Sequence, residues 1–159
     1  MVSRRDMLKG SVAVLLMPLA GCGPSVGPEE ISWGRDVCEH CRMIISERPF
    51  AAELRAGSRK RIHKFDDIGC AVHWAKANDQ PLDQVPEFWV MNHGDGKTWL
   101  DARTAHYRVD VRSPMNYNFA AEPNRNDASV PYDEMVRRLA AGSSHSDCPS
   151  PSLSVATAF

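Results

Sequence analysis

Apolar positions cluster first in two runs, residues 50–56 and 59–65, on either side of Gly57-Ser58. Strand-like runs around a Gly-X pair predict a β-hairpin with a tight turn of the primed type. Alternation in the second run is poor, so its facing stays open. The period then changes in FDDIGCAVHWAKANDQP, where Ile68, Val72 and Ala75 fall at i, i+4 and i+7 and give a helix one apolar face. Asp66 or Asp67 supplies an oxygen to cap its first N–H groups, and Asn78 and Pro81 end it. Residues 86–91 are apolar and aromatic, a strand. Asn92-His93-Gly94-Asp95-Gly96 turns the chain back into a second hairpin, with a return run at 97–100. Residues 106–111 predict a further strand, 113–118 a loop and 119–122 a short strand. A closing helix starts near Val130, with Pro131 in its first turn, and runs to about Ala141. The pattern is α+β: small antiparallel sheets with packed helices.

The two ends follow other rules. Arg4 and Arg5 precede an uncharged apolar run, residues 11–20, too short to span a bilayer. The chain therefore opens as a signal peptide, residues 1–21, and Ser3-Arg4-Arg5-Asp6-Met7-Leu8-Lys9 looks like a twin-arginine export signal. Leu19-Ala20-Gly21-Cys22 looks like a lipobox, in which Cys22 is acylated and becomes the first mature residue. Residues 22–34, rich in Gly, Pro and Ser, read as a lipidated N-terminus and flexible tether. The domain spans 35–142, and residues 143–159, with Cys148, read as a disordered tail. The expected address is the cell envelope, tethered to a membrane and facing the periplasm, with inner or outer membrane undecided.

Composition narrows the class. Removing residues 1–21 takes away Arg4, Arg5, Lys9 and Asp6, leaving 16 basic and 19 acidic residues and a net charge of −3 over 138 residues. That is one modest domain with no electrostatic footprint for nucleic acid. The run Arg59-Lys60-Arg61 with Lys64 reads as a solvated face.

The chemistry concentrates in DVCEHCRMIIS, where Cys38, Cys41 and Met43 stand within six residues. Two cysteines at this spacing converge in one turn, which suits a metal, a redox pair or a staple. A thioredoxin-type pair belongs between a strand and a helix in a βαβ unit, and neither flanks it here. Structural zinc wants four Cys or His ligands; Cys70 and a histidine could complete such a set, so zinc stays open. The thioether of Met43 suits Cu(I) better than zinc. Met91 and His93, two apart at a strand end, project to the same side and offer a second donor pair. His40 and Met115 are weaker candidates. Cys70, in a helix among apolar neighbours, reads first as a buried hydrophobe.

Taken together and in order along residues 22–142, several segments resemble the NosL family of nitrous oxide reductase accessory lipoproteins. They are the lipobox, Cys38-Glu39-His40-Cys41-Arg42-Met43-Ile44, Phe50-Ala51-Ala52-Glu53, Phe65-Asp66-Asp67-Ile68-Gly69-Cys70, Val90-Met91-Asn92-His93, Trp99-Leu100-Asp101-Ala102 and Ser113-Pro114-Met115. The resemblance implies an organomercurial lyase-like fold of two ββαβ-type units. It implies a non-enzymatic Cu(I) chaperone for the copper–sulfide centre of nitrous oxide reductase, with that enzyme and its membrane maturation machinery as partners. The implied ligands are Cys38, Cys41 and Met43, with Met91 and His93 as co-ligands; a homodimer is left open. The competing expectations are a periplasmic thiol–disulfide oxidoreductase using Cys38 and Cys41, and a zinc-stabilised interaction module.

Overall fold

The computed structural model describes residues 26–142; the signal peptide, Cys22 and the segment 143–159 with Cys148 lie outside the described residues. Two antiparallel sheets and two helices make up an α+β fold. The first sheet holds β1 (Ala52–Ala56), β2 (Arg61–Phe65), β3 (Glu87–Met91) and β4 (Trp99–Asp101) in the order β2-β1-β3-β4. The helix α1 (Ile68–Ala77) joins β2 to β3, so the expected ββαβ unit is present. The second sheet, β5 (His106–Arg108), β6 (Ala120–Glu122) and β7 (Ser129–Pro131) in the order β6-β5-β7, leads into α2 (Tyr132–Ala141). Here the helix follows the third strand instead of lying between strands. The two helices pack on each other.

The period-2 logic is clearest in β1, the interior strand beside the edge strand β2. Ala52, Leu54 and Ala56 face the core, where Phe65, Ile68, Ala71, Phe88 and Val90 are also buried. Removing side chains the size of Leu54 or Phe88 from water contributes about 1.5–3 kcal/mol each. Asp67 starts α1 as expected, its Oδ1 accepting the Gly69 N–H at 2.9 Å. Its Oδ2 accepts the Met115 N–H at 3.1 Å, so one buried carboxylate ties the first unit to the loop that enters β6.

Three expectations change. The β1–β2 turn has four residues, not two: Ala56 pairs with Arg61, and Lys60 (φ 49°) closes on the Gly57 carbonyl at 3.0 Å. Residues 129–131 form β7 before the closing helix begins, because Val130 finds a partner in Tyr107 of β5. The described part of the expected tether is not free. The Gly27 N–H donates to Glu87 at 2.8 Å and the Glu29 N–H to Glu53 at 2.8 Å. Arg55 donates to the Gly27 carbonyl at 2.9 Å, Lys64 donates to that of Glu30 at 2.6 Å, and Ile31 is buried. Residues 27–31 thus form a strap over the outer face of the sheet. Glu53 and Arg55 alternate with the core positions of β1 and need partners on that side. The strap supplies one to Glu53 Oε2 and one to Arg55, whose other partners are Glu87 and the Lys60 carbonyl.

Candidate metal centre

The segment 37–44 folds back on itself, with Val37 bridging Ile44. The Cys38 N–H donates to the Met43 carbonyl at 2.8 Å, and the Arg42 N–H to the Cys38 carbonyl at 3.1 Å. Arg42 takes a left-handed backbone (φ 65°) to close this knuckle, a conformation that costs a non-glycine residue energy. Two bonds fix the knuckle on the edge of the first sheet. The Glu39 N–H reaches the Lys64 carbonyl of β2 at 3.0 Å, and the Ser46 N–H reaches Asp66 at 3.1 Å.

This docking brings Cys38 and Cys41 onto the first turn of α1, where Cys70 waits. The Sγ atoms of Cys38, Cys41 and Cys70 all lie within 4.8 Å of one another, and all three are free thiols buried from solvent. Hydrogen bonds from Cys41 and then Cys70 push the Cys38 thiol far below its ordinary value, and the Asp66 backbone adds to the effect. Donating to Cys38 pushes Cys41 and Cys70 up. The arrangement therefore favours the anionic form of Cys38, stabilised by the other two thiols. The positive end of α1 lies beside it, since Cys70 sits in the first turn. An anionic sulfur with two more converging sulfurs is a donor set for a soft cation of low coordination number.

One flank of the nest is aromatic. His40 stacks on His73, one turn beyond Cys70, at 6.0 Å between centroids, and His73 stacks on Tyr117 at 5.0 Å. Burial lowers the pKa of both histidines, which keeps the imidazoles neutral. The Tyr117 ring lies against Gly69, where a Cβ would overlap it.

The residues expected as ligands separate into groups. Cys38 and Cys41 meet. Met43 contributes its carbonyl to the knuckle, while the residue is 52% exposed. Met91 is buried in the hydrophobic core at the end of β3. His93 stays outside the sulfur group; its ring packs edge-on against Phe50 at 5.2 Å, and its N–H donates to the Ala121 carbonyl at 2.8 Å. Met91 and His93 do not share a straight strand, because β3 ends at Met91 and Asn92 bridges to Ala121. Cys70 joins the nest, although its apolar neighbours read as plain core. Its place in the first turn after the Asp67 cap was the available signal. Cys22, expected to carry lipid, lies outside the described residues.

The NosL family profile matches residues 31–134. No curated protein matches the sequence. Among solved structures, the fold is similar to the crystal structure of the copper chaperone NosL from Shewanella denitrificans. The TM-score is 0.53 at 16% identity, covering 70% of this chain and 87% of that one. The family match takes in Cys38, Cys41 and Cys70 and all seven strands, and the chain belongs to the NosL family.

Proposed function

We propose that this protein is an exported, lipid-anchored Cu(I) carrier without catalytic activity. In this reading Cys22 carries the lipid and the cysteine nest carries the ion. The acceptor is the copper–sulfide centre of nitrous oxide reductase, reached through its membrane maturation machinery. The observation that carries the reading is the convergence of three buried sulfurs within 4.8 Å of one another. Cu(I) accepts two or three soft donors, so an incoming ligand can bind before an old one leaves. The similar structure from Shewanella denitrificans is titled a copper chaperone, which supports the same reading.

Among the described residues no fourth His, Cys, Asp or Glu joins the trio, which disfavours the four-coordinate structural zinc site. A dithiol oxidoreductase needs its attacking thiol accessible, and Cys38 is fully buried. Beyond the three cysteines, Met115 is a further candidate thioether donor. Its backbone hangs on Asp67, which caps the helix carrying Cys70. Met43, Met91 and His93 are secondary donors.

The test is titration of the reduced mature chain with Cu(I) against a Cu(I) chelator, beside a parallel Zn(II) titration. One Cu(I) bound far more tightly than Zn(II) is expected. Tight zinc with weak Cu(I) would sink the reading.

A further inference from the structure

Arg55 joins two distant parts of the chain. Its Nη2 donates to the Gly27 carbonyl at 2.9 Å and its Nη1 to the Lys60 carbonyl at 3.1 Å. Its Nε pairs with Glu87 at 2.7 Å, and Glu87 also accepts the Gly27 N–H. One guanidinium, 8% exposed, therefore clamps the outer end of the strap to the tip of the β1–β2 hairpin. That tip, residues 57–61, is exposed and carries Arg59, Lys60 and Arg61. Arg61 is ion-paired with Glu39 at 3.3 Å, while Arg59 and Lys60 have no ion pair among the described residues. Val26, beside Gly27, is 85% exposed, the most exposed large hydrophobic residue described.

Gly27 is only five steps along the chain from Cys22, with four residues between them. Fully extended, these steps span about 17 Å. A lipid on Cys22 then cannot let the domain roam, because the strap uses up the rest of the tether. The basic tip is held next to the point where the chain leaves for the membrane. We propose that the hairpin tip, Arg59, Lys60 and Arg61 with Val26 beside it, is a contact surface for an anionic phospholipid bilayer. It orients the anchored domain with β2 rising from the headgroups. The inference rests on lipidation of Cys22. Arg59 and Lys60 supply uncompensated cations to a negative surface, each adding to the attraction within a Debye length. Val26 meets the boundary between headgroup and acyl chain. The nest lies along the same strand: Glu39, inside the Cys-x-x-Cys loop, bonds Lys64, about 10 Å up β2 from Arg61. The thiols are thereby presented at a fixed height to whatever membrane protein gives or takes the ion.

The experiment uses the lipidated mature chain in vesicles of phosphatidylethanolamine, with and without phosphatidylglycerol. Acylation of lysines by a water-soluble reagent is read by mass spectrometry, with exposed Lys76 and Lys97 as internal references. Phosphatidylglycerol is expected to slow the reaction of Lys60 at least about fivefold relative to both references. Added salt, or Arg59→Glu, is expected to remove most of that protection. Equal Lys60 reactivity in both vesicles, with the chain floating with both, overturns the surface assignment alone. A chain that floats with neither overturns the anchor and the assignment together.

Discussion

Two places in the molecule offer soft donors, and the backbone builds them differently. The nest draws Cys38 and Cys41 from a knuckle and Cys70 from α1, and backbone hydrogen bonds turn all three sulfurs toward one point. At the end of β3, Met91 and His93 are closer in sequence and were expected as co-ligands. There the Met91 N–H donates to the Ala51 carbonyl at 2.9 Å, its side chain lies in the same buried core as the three cysteines, and His93 leans on Phe50. Donor type sets what a site can hold. Convergence of lone pairs, supplied by the backbone around the donors, decides whether a site exists.

That contrast can be broken by affinity measurements. The largest effect is expected in the nest. Cys38→Ser should weaken Cu(I) binding in chelator competition by on the order of a hundredfold, or about 2.7 kcal/mol. Cys41→Ser and Cys70→Ser should cost comparable amounts. A Cys70→Ser protein with unchanged affinity would reduce the nest to a pair and return Cys70 to the core.

Gly69→Ala comes next. Alanine gains about 1 kcal/mol of helix propensity over glycine. Its Cβ overlaps the Tyr117 ring, however, and relieving such overpacking costs about 1–3 kcal/mol. A lower thermal midpoint and weaker copper binding are expected together; a rise in the midpoint would show that the ring moves aside freely.

Met115→Leu preserves volume and removes a thioether from the loop fastened to Asp67. It should lower Cu(I) affinity by on the order of tenfold. Met91→Leu and His93→Ala should change it less than about threefold. If Met91→Leu proves the more damaging, the end of β3 belongs to the site after all.

The smallest effect concerns the strap. Burial raises the Glu53 carboxyl from 4.5 to about 7, with the Glu29 N–H opposing the shift. Between those two values the folded protein keeps a proton that the unfolded chain has lost, so stability falls as pH rises through the window. Glu53→Gln removes this dependence. Melting curves of the two proteins should differ little near the lower value, with the variant gaining on the parent toward the upper one.

The elements with strong local signals were legible in the sequence. The α1 period and the Asp67 cap, the β1–β2 hairpin and the 113–118 loop are all present, because each follows from residues a few positions apart. The strap was not legible. Residues 27–31 have a linker's composition, and their order comes from Glu53, Arg55 and Lys64, more than twenty positions away. Two-thirds of the nest was legible for the same reason: Cys38 and Cys41 announce each other by spacing. Cys70 is brought in by the Glu39–Lys64 and Ser46–Asp66 bonds, which no local pattern encodes.

Asp67 has a thermodynamic consequence. One oxygen of this carboxylate caps the helix that carries Cys70, and the other holds the loop of Met115 and Tyr117. The order of the loop and the hold of the nest on any ion would therefore be linked through one side chain. Reciprocity follows: the factor by which a bound ion tightens the loop equals the factor by which a tightened loop strengthens hold on the ion. An acceptor that pulls the 113–118 loop out of place would loosen the cargo without touching a sulfur.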